Sequence, residues 1–186
     1  MKNLTLSAID ETTDFDQLLT WKKNYKNTPE YKKIVQYIFN GEENENLAFL
    51  LKEINDDHKK YPNRDFVLLA KDEHGEILGV MVVDTYNIGK NNSSCHIHFI
   101  LSHPAHTKTG VSKFMLKTFL LNPETYVGTA SNEIFANIKK NNTASLSLFK
   151  SFGFDVVPDI GTSRFVQLRA PLDELQANLK NPKSFE

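Results

Sequence analysis

Cysteine is almost missing: Cys95 stands alone in 186 residues. A single thiol rules out an internal disulfide and fits a reducing compartment. No apolar run approaches the ~18 residues of a membrane span, and the start, MKNLTLSAIDETTDF, lacks a signal peptide's apolar region. Net charge is scarce too. With 22 Lys and Arg against 23 Asp and Glu, the formal charge is −1, which gives no long-range attraction to nucleic acid or anionic lipid. Neither Gly-x-x-x-x-Gly-Lys-Ser/Thr nor Gly-x-Gly-x-x-Gly occurs, which counts against a nucleotide-binding enzyme. No internal repeat or low-complexity tract is visible. The expectation is one soluble cytoplasmic domain over 1–186, with neither nucleic acid nor membrane as partner.

What is present reads as an alternation of strands and helices. Leu4 to Ile9 alternates like an edge strand. Phe15, Leu18, Leu19 and Trp21 suggest a first helix capped by Thr13 or Asp14. Thr28-Pro29 starts a second helix, which Asn40-Gly41 breaks. A third runs from about Glu45 to a charged end at Asp56–Lys60, before Pro62-Asn63. Two apolar runs, Phe66–Ala70 and Ile77–Val83, flank the turn Lys71–Gly75 and predict an antiparallel hairpin. Gly79 inside it marks a bulge or a close backbone approach. Asn87 to Ser94 reads as a loop.

The stretch Cys95–Leu121 organises the rest: an apolar strand, a polar turn, then an amphipathic helix. Gly110 is flanked there by Thr107, Lys108, Thr109 and Ser112. Small and hydroxyl residues let consecutive amides turn toward one point beside the positive end of the helix dipole. Such a turn suits a phosphate or pyrophosphate, although many turns of this kind bind nothing. A loop around Asn122-Pro123 and a strand at Glu133–Ile138 come next. Asn142 is placed to cap a helix that Gly153 ends. Phe154–Val157 and Arg164–Leu168 read as a closing strand pair around the loop Pro158–Ser163, and the tail from Leu172 as a short helix or a frayed end.

Two stretches make a family resemblance specific. HPAHTKTGVSKFML resembles the Pro, then Gln/Arg-x-x-Gly-x-Gly/Ala, then apolar helix of the GNAT superfamily of acetyl-CoA-dependent N-acetyltransferases, and NTASLSLFKSFGF is similar to its Asn-x-x-Ala…Leu-Tyr-x-x-x-Gly-Phe. The element order agrees from Leu4 to about Arg169. The resemblance implies an α/β (α+β) fold with a mixed, mostly antiparallel central sheet flanked by helices. It also implies a motif-bearing core at about 64–169 and a helical acceptor-side region at about 13–60. The activity it implies is acetyl transfer from acetyl-CoA to a primary amine of a small molecule or peptide, through a ternary complex. A homodimer is left open.

By the same resemblance, Thr107, Lys108, Thr109, Gly110, Val111 and Ser112 would hold the CoA pyrophosphate. Ile100, Leu101 and Ser102 would pair their backbone with the pantetheine arm, which requires their strand to splay from its neighbour. Asn142 would meet the cofactor near its thiol, with Phe149 beside it. Two residues depart from the pattern. Thr107 replaces Gln or Arg, and Phe149 stands where many members carry a tyrosine that protonates the thiolate. Phenylalanine has no proton to give, which leaves water or another donor (Ser147 and Tyr126 are candidates), an unassisted thiolate, or a catalytically weak or inactive CoA-binding or regulatory module.

The amine must be neutral to attack, so a base is expected. His96 and His98 share a strand face by the period of two, and imidazole titrates near neutral pH. His96 falls where some members of the family place a glutamate. The competing reading for both is a packed, hydrogen-bonded core histidine. His-x-His spacing also suits zinc, but the reading adopted assigns no metal. His103 and His106 fall in the turn, facing solvent or phosphate, and Cys95 is a small core residue. Asp84 and Tyr86 are candidates to line an acceptor pocket shaped by Thr28–Lys60 and the loop Asn87–Ser94. Glu42, Glu43, Glu45 and Asp84 would attract a cationic amine.

Overall fold

Local chemistry sets where the helices begin. The computed structural model describes residues 3–39, 41–42, 45–62, 64–87 and 93–180. Strand β1 (Thr5–Ala8) leads to helices α1 (Asp14–Tyr25), α2 (Pro29–Ile38) and α3 (Leu47–Lys60). Thr28 caps α2 by accepting from the Tyr31 amide, and Pro29 supplies the preset φ of a first turn. Asn46 accepts from the Ala48 amide, so α3 starts at Leu47, two residues later than the expected Glu45. Thr13 holds the N-cap position of α1 without a cap bond. The Asp14 carboxylate instead accepts from the Asp10 amide at 2.7 Å and from Lys71 Nζ at 2.8 Å.

Strands β2 (Phe66–Lys71), β3 (Ile77–Asn87) and β4 (Ser93–Ser102) form an antiparallel meander. β3 runs past its expected end at Val83 because Asp84 to Asn87 keep pairing with His96 to Ser93. The expected loop Asn87–Ser94 therefore shortens at both ends. Its residues 88–92, like Asn40, Glu43 and Asn63, lie outside the described residues. A 3-10 turn at Pro104–His106 precedes α4 (Val111–Leu121). A short helix α5 (Glu124–Val127) occupies the expected loop after Asn122-Pro123. β5 (Glu133–Lys139) and α6 (Thr143–Lys150) come next, and Asn142 Oδ1 caps α6 on the Ser145 amide at 3.3 Å.

The closing hairpin departs from expectation. β6 (Asp155–Gly161) runs through Pro158 and pairs with β7 (Phe165–Pro171). β6 is the sheet edge, where a missing N–H is tolerated. The loop contracts from Pro158–Ser163 to 162–164, held by Thr162 Oγ1 accepting from the Arg164 and Phe165 amides. The tail forms helix α7 (Leu172–Lys180), which buries Leu175, and Gln176 Nε2 donates to the carbonyls of Leu120 and Leu121 at the end of α4.

The sheet order is β1-β2-β3-β4-β5-β7-β6. Every neighbouring pair is antiparallel except β4 and β5, which pair in parallel at Ser94↔Glu133, Cys95↔Ile134 and His96↔Phe135 and no further. Beyond His96, β4 stays with β3 to Ser102, while β5 stays with β7 to Lys139. The two strands thus part and leave a gap. One core, between the sheet and α4, α6 and α7, draws on both halves: Met115, Leu116 and Phe119 pack with Leu68, Ile97, Ile134 and Leu168. The other, under α1–α3, holds Leu18, Trp21 and Leu51 against β2, β3 and β4 alone. Each such side chain contributes about 1.5–3 kcal/mol on burial.

Two irregularities mark the central strands. Val82 pairs with Phe99 and Val83 with Ile97, so His98 is an extra, unpaired residue in β4, the definition of a bulge. Gly79 sits next to a register shift between β2 and β3. A Cβ there would lie 2.6 Å from Met115 Cε and 2.7 Å from Val111 Cγ1. The glycine therefore serves both expected roles, letting α4 press against the sheet.

Candidate functional site

The turn before α4 has the shape of an anion cradle. Lys108 (φ 61°) and Gly110 (φ 88°) are both left-handed. Thr109 Oγ1 donates to the His106 carbonyl at 2.5 Å, which folds the turn back on itself. No side chain caps α4, so its first amides remain available to a ligand. A left-handed non-glycine costs about 1–3 kcal/mol and is typical of ligand clamps. Thr107, Lys108 and Thr109 are exposed, whereas the Val111 side chain is in the core, leaving its backbone for a ligand. Ser112 Oγ lies 3.0 Å from Ser102 Oγ and joins the helix start to the end of β4.

The gap between β4 and β5 opens beside this turn. Ile100 and Ser102 face the α4 side and Leu101 the α1–α3 core, so side chains and sheet partners fix the strand while its outer edge stays unpaired. Asn142 stands across the gap, at the end of β5, with its side-chain oxygen committed to the cap. Phe149 is buried in the core, edge-on to Phe154 at 5.1 Å. Ser147 is exposed on α6, and Tyr126 packs against Phe119 on α5.

The two strand histidines have unlike surroundings. The His96 ring stacks on Phe135. Its Nε2 lies 3.3 Å from Asn137 Nδ2, and Gln167 Nε2 donates to Asn137 Oδ1 at 3.3 Å. This network assigns His96 Nε2 as acceptor, with its proton on Nδ1. Burial, with the neighbouring His98 second, pulls the His96 pKa down to about 4 and keeps the ring neutral. The His98 ring, 4.2 Å from that of His96, is partly exposed. Its Nε2 faces Asp84 Oδ2 at 3.9 Å.

Asp84 is buried, accepts from the Thr85 amide at 2.7 Å, and lies 3.8 Å from Arg64; burial, and then Asp84, pushes the Tyr86 hydroxyl above its ordinary range. Asp65, left-handed at φ 59°, joins it: the ligand atoms of Asp65, Asp84 and His98 lie within 4.8 Å of one another. Burial, and then Asp84, pushes the Asp65 carboxyl above its ordinary range. Sequence reading missed Asp65, and nothing local marks it. Asn137 was discoverable, as a polar residue between buried Ala136 and Ile138 on a strand.

Two clefts flank the end of α2. One, of about 320 Å³, has walls from Ile38, Leu50, Ile54 and Phe99, with Asp65 and His98 among its lining. The other, of about 400 Å³, lies by Gln36, Lys139, Lys140 and Arg164. Lys139, in the lining of the second, reaches toward the first: its Nζ donates to the Gln36 carbonyl at 2.8 Å and lies 5.9 Å from the centre of the Tyr37 ring.

The remaining candidates fall elsewhere. Cys95 is in the core, 2.8 Å from Ser131 Oγ, with burial pushing its thiol up to about 11. His103 is buried between Trp21 and Tyr25, which removes it from both solvent and the phosphate turn. His106 faces Glu76 at 3.8 Å. Glu42 and Glu45 are exposed on the connection from α2 to α3. No described helix is long and apolar enough to cross a membrane.

A three-pair parallel seam thus splits beside an uncapped helix and a left-handed turn, which places an unpaired strand edge next to an anion-binding shape. The sequence profile of the GNAT acetyltransferase family matches residues 26–154, and the chain belongs to that family. It is an acetyltransferase with acetyl-CoA as cosubstrate. No curated protein sequence matches it. Among solved structures it is similar to the Vibrio cholerae spermidine N-acetyltransferase in complex with CoA and spermine, with TM-score 0.67 and 18% identity over 92% of this chain and 97% of that one. It is also similar to the Legionella pneumophila aminoglycoside N(6')-acetyltransferase, with TM-score 0.65 and 12% identity over 96% and 97%. A third is the Salmonella typhimurium protein yncA with its cofactor acetyl-CoA, with TM-score 0.59 and 18% identity over 92% and 95%.

Proposed function

We propose that the protein moves the acetyl group of acetyl-CoA onto a primary amine of a small molecule or peptide. The observation that carries this reading is the ending of the β4/β5 ladder at His96↔Phe135. It leaves the Ile100–Ser102 edge unpaired and leading to the left-handed turn at Lys108 and Gly110. Backbone amides of Lys108 to Ser112 would hold the pyrophosphate by charge-assisted hydrogen bonds, each worth about 1.5–3 kcal/mol. The edge of Ile100 to Ser102 would align the pantetheine arm, with Asn142 across the gap.

Acetyl-CoA supplies the acyl group activated as a thioester. His98 takes the proton of the incoming ammonium, and the imidazolium so formed faces Asp84. The neutral nitrogen forms the new C–N bond as the C–S bond breaks. The nitrogen sheds its second proton as it becomes an amide; Phe149 has none to give, so water relays that proton to the departing thiolate. His96 is held neutral against Phe135 and Asn137, which suits it to positioning its neighbour. Calorimetric titration with acetyl-CoA, CoA and ATP, followed by thiol release with a panel of amines, tests this. Micromolar binding of acetyl-CoA, silence with ATP and amine-dependent release of CoA are expected. Binding without release under every amine would leave a CoA-binding module instead.

A further inference from the structure

The spermidine and aminoglycoside acetyltransferases act, by their names, on amines with several positive charges. The cleft of this chain has a different character. Its walls are apolar, from Ile38, Leu50, Ile54, Val82 and Phe99, with the Tyr37 ring beside them. Its polar end is Asp65, His98 and, behind them, Asp84.

The charge at that end is small. Two carboxyl groups, those of Asp65 and Asp84, meet there, and the Arg64 guanidinium 3.8 Å from Asp84 offsets one of them. One ammonium balances what is left. Asp57, which faces Asp65 from α3, is itself paired with Lys60 at 3.3 Å. Past α2 a second cation would meet like charge, because Lys139, Lys140 and Arg164 line the far cleft and Lys139 reaches to the Tyr37 ring of the near one. Like charges placed together at a binding surface disfavour the wrong partner.

We propose that the acceptor is a singly charged primary amine carried on an apolar body, its ammonium at Asp65, Asp84 and His98 and its body against Ile38, Leu50, Ile54 and Phe99. This inference rests on the transferase reading and deepens it. Those four apolar wall side chains give affinity by burial, the acid pair orients the nitrogen toward His98, and the cations beyond Tyr37 reject polyamines.

A matched pair tests the proposal: hexylamine against 1,6-hexanediamine, with 2-phenylethylamine and spermidine as further acceptors, read as kcat/KM for CoA release by the full chain. Hexylamine and 2-phenylethylamine should exceed the diamine and spermidine by about tenfold or more. The double variant Lys140→Glu, Arg164→Glu, changed only at exposed positions, should narrow the hexylamine preference while leaving the hexylamine rate intact. Asp65→Asn should raise KM for hexylamine about tenfold without changing acetyl-CoA affinity. A preference for the diamine or spermidine, or no acetylation of any monoamine by protein that binds acetyl-CoA, overturns this inference alone. Failure to bind acetyl-CoA overturns the transferase reading and this inference with it.

Discussion

The imidazole of His96 lies flat on the ring of Phe135, with centroids 4.6 Å apart and planes 6° from parallel. Those two residues form the last rung between β4 and β5. The stack therefore closes the seam at the point where the strands part, and it takes His96 out of the open site. His98, beyond the rung, keeps its exposure and its carboxylate partner.

This contrast predicts a kinetic split. His98→Gln should lower kcat by about 100-fold, the usual yield of a positioned base, with acetyl-CoA affinity unchanged by calorimetry. His96→Gln should cost less in kcat, because it removes a support and not the proton acceptor. Equal losses in the two variants would assign the base role differently.

Under the proposed mechanism, Phe149→Tyr would give the leaving thiolate a phenol as proton donor. In the free protein the new hydroxyl enters a core position beside Phe154 and should cost about 1–3 kcal/mol if it meets no partner. The expected compensation is a rise in kcat of about tenfold or more at unchanged KM, measured by stopped thiol-release assays alongside urea unfolding.

Two glycines should fail in different ways. At Gly110 nothing lies within 4 Å of an added Cβ, so Gly110→Ala meets only the cost of φ 88°, about 1 kcal/mol. Its main effect should be several-fold weaker CoA binding. Gly79→Ala collides with Val111 and Met115 and should cost about 1–3 kcal/mol. It should weaken CoA binding as well, since Val111 begins the helix that bears the cradle. Calorimetry and thermal unfolding on both variants separate strain from collision.

Burial holds both His96 and His103 at about 4, against 6.5 for an ordinary imidazole. The unfolded chain takes up these protons as pH falls through 6.5, and the folded chain does so only near 4. Stability should be full above pH 6.5 and should fall steadily toward pH 4, by about 1–2 kcal/mol per imidazole at pH 5. Urea midpoints at pH 7.5 and 5 check this. His103→Asn, which keeps a side-chain acceptor for the Ala105 amide, should flatten part of the slope.

What could be read from sequence was local. Thr28-Pro29, Asn142 and Gly153 act through bonds or dihedrals within a few residues, and each sits where the reading put it. Gly79 was understood as a place of close approach without knowledge of what approached it. The misjudged boundaries depended on partners far along the chain. β3 extends because β4 lies alongside, and Pro158 is accommodated because its strand is the sheet edge. The same holds at the candidate site. His96 and His98 were singled out by period and residue type, but the rung with Phe135, the link through Asn137 to Gln167, and the arrival of Asp65 all require the assembled sheet.

The unpaired His98 has one more effect. Before it, Cys95 and Ile97 point into the α4 core; after it, Ile100 does, while Phe99 and Leu101 turn to the α1–α3 core. One residue shifts the reading frame of the strand, much as an inserted base shifts a message. Substituting that residue leaves the frame intact. Deleting it would send every later side chain of β4 to the wrong layer, so the chain can rewrite this position but cannot erase it.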